Sequence, residues 1–263
     1  MIGLIALDFD YTLIDYLPGQ KAHIEPEALN LFNRLSASGI RMGIVTGRNF
    51  EGFPQTFNEV GGTWGDPFPG FLIALDSYLY EKNAQGEFQA DEEENKKVQQ
   101  RILQRVQEML PYFPDCLKRL QENEIPIRSW AIGGEHGLTV ETDTFLSAQK
   151  ALELMEGKIP GALCARNYHL FHITPLGEGK GASVLRYAQK LGLRPDEVLA
   201  IGDSLNDLTM LDGTLGFHSA CVANADERVK AAVTRNQGMV SQFRASRGTA
   251  DCILHFLRGQ DWE

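Results

Sequence analysis

Residues 4–15 read LIALDFDYTLID, which joins an apolar run to two carboxylates, Asp8 and Asp10. The run from Leu4 to Leu7 is typical of a strand that is buried on both faces. In an extended segment, side chains two residues apart point to the same side, so both carboxylates are expected just past the end of this strand. Ligand sites of open α/β sheets lie at that edge. Two adjacent carboxylates suit a cation such as Mg²⁺, although a turn or a helix cap uses the same residue type.

The composition is that of a globular protein, and it limits the classes of function. The 263 residues carry a formal charge of −10, which argues against nucleic acid as a partner. We find no apolar run of membrane-spanning length and no signal peptide, and we therefore expect a cytoplasmic protein with no membrane partner. The four cysteines form no CxxC pair and are expected to be reduced thiols. An anionic small molecule is compatible with this charge, because a bound cation reverses the local field.

Strands and helices alternate in the first and last parts of the chain. A helix is predicted to begin near Pro26, a second strand to run from Met42 to Val45, and FLIALDSYLY from Phe71 is predicted as a third strand region. The same rhythm resumes at Lys180, where a helix precedes the strand of EVLAIGDS. Strand, helix and strand with short connections indicate a parallel sheet, so we predict an α/β fold with a Rossmann-like core.

The middle of the chain follows a different pattern. From about Glu81 the order of predicted elements is αββαββ, which is typical of a separate α+β layer. Its first helix is predicted to begin in the acidic run at Asp91 and to continue at helical period to Leu110, where Pro111 ends it. The sequence therefore predicts a core of residues 1–80 and 175–263 and an inserted domain of residues 81–174.

Three further segments place polar groups at the ends of predicted elements. They are TGR at residues 46–48, GEGKGASV around residue 180, and GDSLND at residues 202–207. Taken singly, an N-cap, an exposed helix lysine and an Asx-rich turn explain them. Taken together at the ends of elements of one sheet, they indicate a phosphate site. The polar side chains concerned are Thr46, Arg48, Lys180, Asp203, Asn206 and Asp207.

The segments DFDYT, TGR, GKG and GDSLND, in this order, resemble the four motifs of the haloacid dehalogenase (HAD) superfamily of phosphotransferases. The resemblance covers the whole chain, since the αββαββ insertion between the second and third motifs is similar to the cap of the Cof-type and sucrose-phosphatase-like members. It implies a Rossmann-like parallel-sheet core with an α+β cap. Such a cap closes over the leaving group and determines substrate specificity.

The resemblance also implies a role for each motif residue. Asp8 would attack phosphorus and form an aspartyl-phosphate, while Asp10 would protonate the leaving oxygen and then activate water. Mg²⁺ would bind the Asp8 carboxylate, the Asp10 main-chain carbonyl and Asp203, with Asp207 beside it. The residues implied to bind the phosphate are Thr46, Gly47, Lys180 and Asn206.

The chain departs from the family pattern at two places. Tyr11 stands where relatives often have glycine, so a bulky side chain is expected near the phosphate. Asp76, Ser77 and Tyr78 replace a Ser-Asn-Gly-Ala turn, which bears on the choice of substrate. Substrate contacts are predicted for Tyr11, Arg48, Glu135 and His136. Of the other polar or aromatic residues in the insertion, Trp130 is expected in its core, and Arg128 and Arg166 on a solvated face of its sheet.

These features predict an Mg²⁺-dependent phosphatase that hydrolyses a phosphomonoester of a small metabolite, with a sugar phosphate as the expected substrate class. A phosphomutase of the same superfamily is the nearest alternative, because it also uses an aspartyl-phosphate. A receiver-like phospho-acceptor and a non-catalytic sugar-phosphate binder are alternatives from other classes. The inserted domain argues against the receiver, and the intact Asp8 and Asp10 pair argues against the binder. Neither the individual substrate nor the oligomeric state follows from the sequence.

Overall fold

The computed structural model describes residues 1–83, 85–133 and 137–258. The chain divides into two compact units, one formed by Met1–Asp91 and Lys180–Glu263, the other by Glu92–Gly179. The predicted boundaries at residues 80/81 and 174/175 are therefore displaced. Residues 81–91 belong to the first unit because they continue its sheet. Residues 175–179 belong to the second, where Glu178 pairs with Arg101.

The strands and helices are numbered in chain order. The strands are β1 (Leu4–Leu7), β2 (Arg41–Val45), β3 (Phe71–Ala74), β4 (Tyr78–Lys82), β5 (Phe88–Ala90), β6 (Ile127–Gly133), β7 (Gly137–Thr142), β8 (Ala162–Asn167), β9 (Leu170–Pro175), β10 (Val198–Gly202), β11 (His218–Cys221) and β12 (Met239–Val240). The helices are α1 (Pro26–Ala37), α2 (Phe53–Glu59), α3 (Glu92–Met109), α4 (Phe113–Glu122), α5 (Phe145–Met155), α6 (Lys180–Lys190), α7 (Leu208–Leu211), α8 (Glu227–Arg235) and α9 (Ala245–Leu257). Among the described residues, none of these helices is long and apolar enough to cross a membrane.

The sheet of the first unit confirms the predicted α/β fold. Its strand order within the described chain is β12-β11-β10-β1-β2-β3-β4-β5, and β1 lies at the centre between β10 and β2, parallel to both. All four residues of β1 are buried, as expected for a strand covered on both faces. On one side, Ala28, Phe32 and Leu35 of α1 pack into a core that also includes apolar residues of β1, β2 and α9.

The third predicted strand region is two strands. Residues 71–74 form β3, and residues 78–82 turn back as β4, antiparallel to β3. Leu75 and Asp76 lie in the left-handed region, with φ of 49° and 57°, and they reverse the chain. Apolar residues stand directly before and after Asp76 and Ser77, so the apolar pattern alone did not reveal the reversal.

The second unit is an α+β layer with one helix more than the sequence predicts. Its antiparallel sheet has the order β6-β7-β9-β8 among the described residues. Before this sheet lie α3 and α4, joined by a 3₁₀ turn at Leu110–Tyr112. Pro111 interrupts the helix at this turn, and Leu110 is exposed instead of continuing the apolar face. The observed order is therefore ααββαββ.

Candidate active site

The carboxyl ends of β1, β2 and β10 bring polar groups of three of the sequence motifs to one edge of the sheet. Leu7 of β1 lies opposite Ile201 of β10 and Ile44 of β2. The residues that follow these strands therefore emerge side by side, which is the usual ligand position in parallel sheets. Asp8 leaves β1, Thr46 leaves β2, and GDSLND leaves β10.

Asp8, Asp203 and Asp207 form a buried group that we call the carboxylate cluster. One oxygen from each lies within 4.8 Å of the others. The Nζ atom of Lys180, at the first residue of α6, donates to Asp8 Oδ1 at 2.5 Å and to Asp207 Oδ1 at 2.7 Å. Lys180 is only 2% exposed, so this ammonium is held among the carboxylates with little access to water. Thr12 donates to Asp203 Oδ1 at 3.0 Å.

The turn after β10 is built around Asp207. Its Oδ2 accepts hydrogen bonds from the backbone N–H groups of Asp203 and Ser204, both at 2.9 Å. A Cβ at Gly202 would lie 2.6 Å from that oxygen, so only glycine admits the carboxylate here. Ser204 donates to Asn206 Oδ1 at 2.7 Å, which closes the turn further. Asp207 and Asn206 thus orient the turn that presents Asp203.

Burial and mutual repulsion set the protonation of the cluster. Burial raises the pKa of Asp8 from 3.8 to about 7, although Lys180 acts in the opposite direction. Burial, followed by repulsion from Asp8 and Asp207, raises the pKa of Asp203 well above its ordinary value. Burial would lower the pKa of Lys180, but Asp207, Asp8 and Asp76 outweigh it and hold that pKa well above 10.5. The lysine is therefore charged.

The donor set of this cluster fits a divalent cation. Three carboxyl groups lie close together in a buried place with one ammonium, and a cation would stabilise the ionised forms of Asp8 and Asp203, whose pKa values are raised there. Mg²⁺ prefers carboxylate oxygens of this kind. Because both oxygens of Asp207 are engaged by Lys180 and the backbone, Asp8 and Asp203 are the better placed ligands.

The Asp10 side chain lies outside the carboxylate cluster. Arg48 donates to it through Nε at 2.8 Å and through Nη2 at 2.7 Å, and Tyr16 donates through its hydroxyl at 2.5 Å. We call this arrangement the Arg48 clamp. The hydrogen bond to Asp10 raises the pKa of Arg48, while burial and the same carboxylate raise the pKa of Tyr16. The carboxylate predicted to act as acid and base is thus held at the side of the site.

The turn after β2 presents Thr46 and Gly47 next to the β3–β4 hairpin. The Thr46 hydroxyl oxygen accepts a hydrogen bond from the Arg48 N–H at 3.2 Å, which leaves its own hydrogen available for a ligand. Asp76 N–H donates to the Thr46 carbonyl at 2.9 Å. The Asp76 carboxylate lies 3.9 Å from Lys180 Nζ and 3.8 Å from where a Gly47 Cβ would be. Asp76 therefore adds a further negative charge beside the phosphate turn.

Three residues that support the loop after β1 were missed by sequence reasoning, namely Thr12, Tyr16 and Asn224. Tyr11 has a φ of 62°, and its carbonyl accepts a hydrogen bond at 2.6 Å from the side chain of Asn224. Its ring packs on the ring of Tyr16 with centroids 5.0 Å apart. Asn224, Thr12 and Tyr16 all support the loop that follows β1. Only Thr12 and Tyr16 had a signal, because they stand near the first motif in the sequence.

The predicted substrate residues of the insertion are placed only in part. Glu135 and His136 lie outside the described residues. Arg166 is buried, donates to Gln149 at 3.0 Å and stacks on the ring of Phe145, so its expected place on a solvated face is wrong. Trp130 is 54% exposed on the edge strand β6 and is not part of a core.

Several of the known proteins to which this chain is similar are named phosphatases. Residues 141–245 match the family model of haloacid dehalogenase-like hydrolases. A phosphoglycolate phosphatase of Methanospirillum hungatei is 27% identical over 88% of this chain and 88% of its own length. Another, of Thermoplasma volcanium, is 35% identical over 33% of this chain. That match spans only 36% of the length of the Thermoplasma relative.

The fold of the whole chain is also found among solved structures. A sucrose-phosphatase of a Synechocystis species, solved with sucrose and phosphate, superposes with a TM-score of 0.66. The superposition covers 97% of this chain and 98% of the other, at 16% sequence identity. At that identity the likeness establishes a shared fold.

Proposed function

We propose that this chain, whose residues 141–245 match the family model of haloacid dehalogenase-like hydrolases, is an Mg²⁺-dependent phosphatase of small phosphorylated metabolites. The observation that carries this proposal is the position of Asp8, Lys180 and Asp203 at the carboxyl edge of the sheet. A carboxylate nucleophile, a fixed ammonium and a cation site are what phosphoryl transfer requires. The phosphoglycolate phosphatases among the relatives support the same reaction class.

In the first proposed step, an oxygen of Asp8 attacks phosphorus and the bond from phosphorus to the leaving oxygen breaks. Asp10 gives its proton to that oxygen, so the metabolite leaves as an alcohol. Lys180 and the Thr46 hydroxyl stabilise the charge on the transferred group. Asp8 and Asp203 would hold Mg²⁺, which when bound neutralises phosphate charge and orients the phosphoryl group.

In the second proposed step, Asp10 takes a proton from water and the water oxygen attacks the aspartyl-phosphate. The bond between phosphorus and Asp8 breaks, and inorganic phosphate leaves. Asp8 returns as a carboxylate and Asp10 carries the proton needed for the next turnover. One residue thereby serves as acid and then as base, which requires its side chain to reach the reacting oxygen in both steps.

The second unit is proposed to select the substrate, and sugar phosphates are the proposed class. The likeness in fold to a sucrose-phosphatase solved with sucrose and phosphate supports this choice. The presence of a separate α+β unit in this chain also supports it. Predicted contacts from Glu135 and His136 remain part of the proposal. We further propose a cytoplasmic location, because the four cysteines are free thiols that are buried.

The test is hydrolysis of a panel of phosphorylated metabolites and of p-nitrophenyl phosphate by the purified chain. We expect release of inorganic phosphate with Mg²⁺, loss of release in EDTA, and its return when Mg²⁺ is added. Absence of turnover on every phosphomonoester would refute the phosphatase. Recovery of the phosphoryl group on a second sugar position, without release of phosphate, would identify a phosphomutase instead.

A further inference from the structure

The Arg48 clamp occupies both oxygens of Asp10 with three hydrogen bonds, two from the guanidinium and one from the Tyr16 hydroxyl. Arg48 Nη2 also donates to the Tyr16 oxygen at 2.9 Å, so the three side chains form a closed ring of contacts. The parallel, two-point pairing of Arg48 with a carboxylate is the strongest geometry that an arginine makes with an anion. Arg48 and Tyr16 together therefore hold the Asp10 carboxylate in place.

The clamp is open to ligands. The side chains of Arg48 and Asp10 are 38% and 26% exposed, and Tyr16 is also exposed. In the described part of the chain, Arg48 Nη1 makes no hydrogen bond. Arg48 belongs to the TGR turn that also carries Thr46 and Gly47. If the phosphoryl group of a substrate binds at that turn, the leaving-group end of the same substrate can contact the Arg48 guanidinium.

Movement of Asp10 to the reacting oxygen has a direct consequence for Arg48. The carboxylate must give up all three hydrogen bonds, and the half-buried guanidinium is left with no anion beside it. An uncompensated charge in such a place is unfavourable. A second anion on the substrate removes this cost, because it takes the place of Asp10 on the same fork of N–H groups.

From this geometry we propose that Arg48 selects phosphomonoesters whose leaving group carries a second anionic group, and that this anion releases Asp10 by exchanging with it. The proposal rests on the proposed phosphatase function and narrows its substrate class to anionic phosphorylated metabolites, such as sugar acids. Arg48 is then a specificity-determining residue that binds the substrate. Tyr16 is a positioning residue, since it acts through Asp10.

The experiment compares substrates that differ only in this anion. 3-Phosphoglycerate and glycerol 3-phosphate form a short pair, and 6-phosphogluconate and glucitol 6-phosphate form a longer one; each pair exchanges a carboxylate for a hydroxymethyl group. For the protein with Mg²⁺, we expect kcat/KM to be higher for the carboxylate member by about tenfold or more in at least one pair. Arg48→Met is expected to reduce that ratio to about 1. Arg48→Lys keeps the positive charge but cannot make the two-point pair of a guanidinium, so it is expected to retain part of the preference for the carboxylate substrate.

A matched control comes from Arg244, which precedes α9 and pairs with a carboxylate of the loop after β1. Arg244 makes a similar two-point pair with Asp15, at 2.7 and 3.2 Å, and does not touch Asp10. Arg244→Met is therefore expected to leave the ratio between the two substrates as in the parent protein. Thermal melting of each variant establishes that it is folded, and Arg48→Lys serves if Arg48→Met does not fold.

The outcomes separate this proposal from the phosphatase function itself. Turnover of p-nitrophenyl phosphate without a preference for the carboxylate member of either pair overturns the role of Arg48 and leaves the phosphatase standing. An equal loss on both members in Arg48→Met also overturns it, because Arg48 would then bind the transferred phosphoryl group. Absence of turnover on p-nitrophenyl phosphate as well refutes the phosphatase.

Discussion

Asp8 and Asp10 are two residues apart in the sequence, yet they lie in opposite surroundings. Asp8 is buried among carboxylates and shares one ammonium with them. Asp10 is partly exposed and is paired with its own arginine. Burial and repulsion raise the pKa of Asp8 to about 7, whereas Arg48 and Tyr16 supply Asp10 with three hydrogen-bond donors.

The difference between the two regions shows how one strand end can serve two chemical roles. A crowded carboxylate cluster attracts a cation and an ammonium, which is suited to a nucleophile that must approach an anionic phosphate. A carboxylate held at the side of the site by exposed groups can be moved, which is suited to an acid and base. Four predictions test this division of roles.

The largest effect is expected for Asp8→Asn. Since the proposed nucleophile is lost, turnover of p-nitrophenyl phosphate should fall by about four orders of magnitude or more. The fold should persist, because the change removes one charge from a crowded buried cluster. Phosphate release and a thermal melt measure the two quantities. Asp115→Asn, an exposed position of α4 paired with Arg119, is the control. Retained turnover in Asp8→Asn would assign the nucleophile to another residue.

Asp10→Asn should be less severe and should separate the two steps. Its loss removes the acid and base, which contributes about 10²- to 10⁴-fold in rate. p-Nitrophenol leaves readily without a proton donor, so rapid mixing should show a burst of one equivalent, followed by slow release of phosphate. Quenched-flow measurement of both products checks this. Equal slowing of both products would mean that Asp10 is needed to form the intermediate as well.

Lys180→Met tests the electrostatics of the cluster. Removal of the ammonium leaves Asp8, Asp203 and Asp207 uncompensated, and the free energy of unfolding at pH 8 should fall by about 3 kcal/mol. Mg²⁺ should restore part of this loss. Urea unfolding gives the value. Lys190→Met removes a half-exposed lysine that pairs with Glu81 and Asp91, and it should cost less than about 1 kcal/mol. Similar losses in both variants would contradict the buried cluster.

The smallest effect is a dependence of Mg²⁺ binding on pH. Folding raises the pKa of Asp8 from 3.8 to about 7. Between about pH 4 and about pH 7 this carboxyl group is therefore protonated in the folded protein, whereas it is ionised in the unfolded chain. It therefore lowers the stability of the metal-free fold as pH rises from about 4 to about 7. Mg²⁺ competes with that proton, so its affinity should weaken by up to about tenfold for each pH unit below 7. Melting temperatures at several Mg²⁺ concentrations and pH values measure this. An affinity that is constant from pH 5 to pH 8 would place the cation elsewhere.

The regular parts of the fold were predictable because local pattern and burial agree there. The continuous apolar runs of β1, β2 and β10 predicted the central parallel strands, and the polar groups at the ends of these strands predicted the candidate site. The hairpin of β3 and β4 was missed, because apolar runs lie on both sides of the turn and the positive φ of Leu75 is uncommon for its residue type. The boundaries of the inserted unit were displaced for the same reason, since β4 and β5 extend the core sheet.

The predicted places of long side chains were the least accurate. Arg166 was expected in solvent, and in the structure it is buried through stacking on Phe145 and pairing with Gln149. Trp130 was expected in a core, and it lies exposed on an edge strand. Arginine and tryptophan side chains have both apolar and polar surface, so they can be buried or exposed. Which of the two occurs depends on how the neighbouring side chains pack.

The sequence by itself determined that Asp8, Asp10, Thr46 and Asp203 follow strands, since strand ends and side-chain alternation are local properties. It also determined the order of the motifs. Only the tertiary structure decided which partner each carboxylate has. Lys180 reaches Asp8 across 172 positions of the chain and Arg48 reaches Asp10 across 38. Burial and charge pairing between such distant segments exist only after the sheet has formed, and they give two neighbouring aspartates different chemistry.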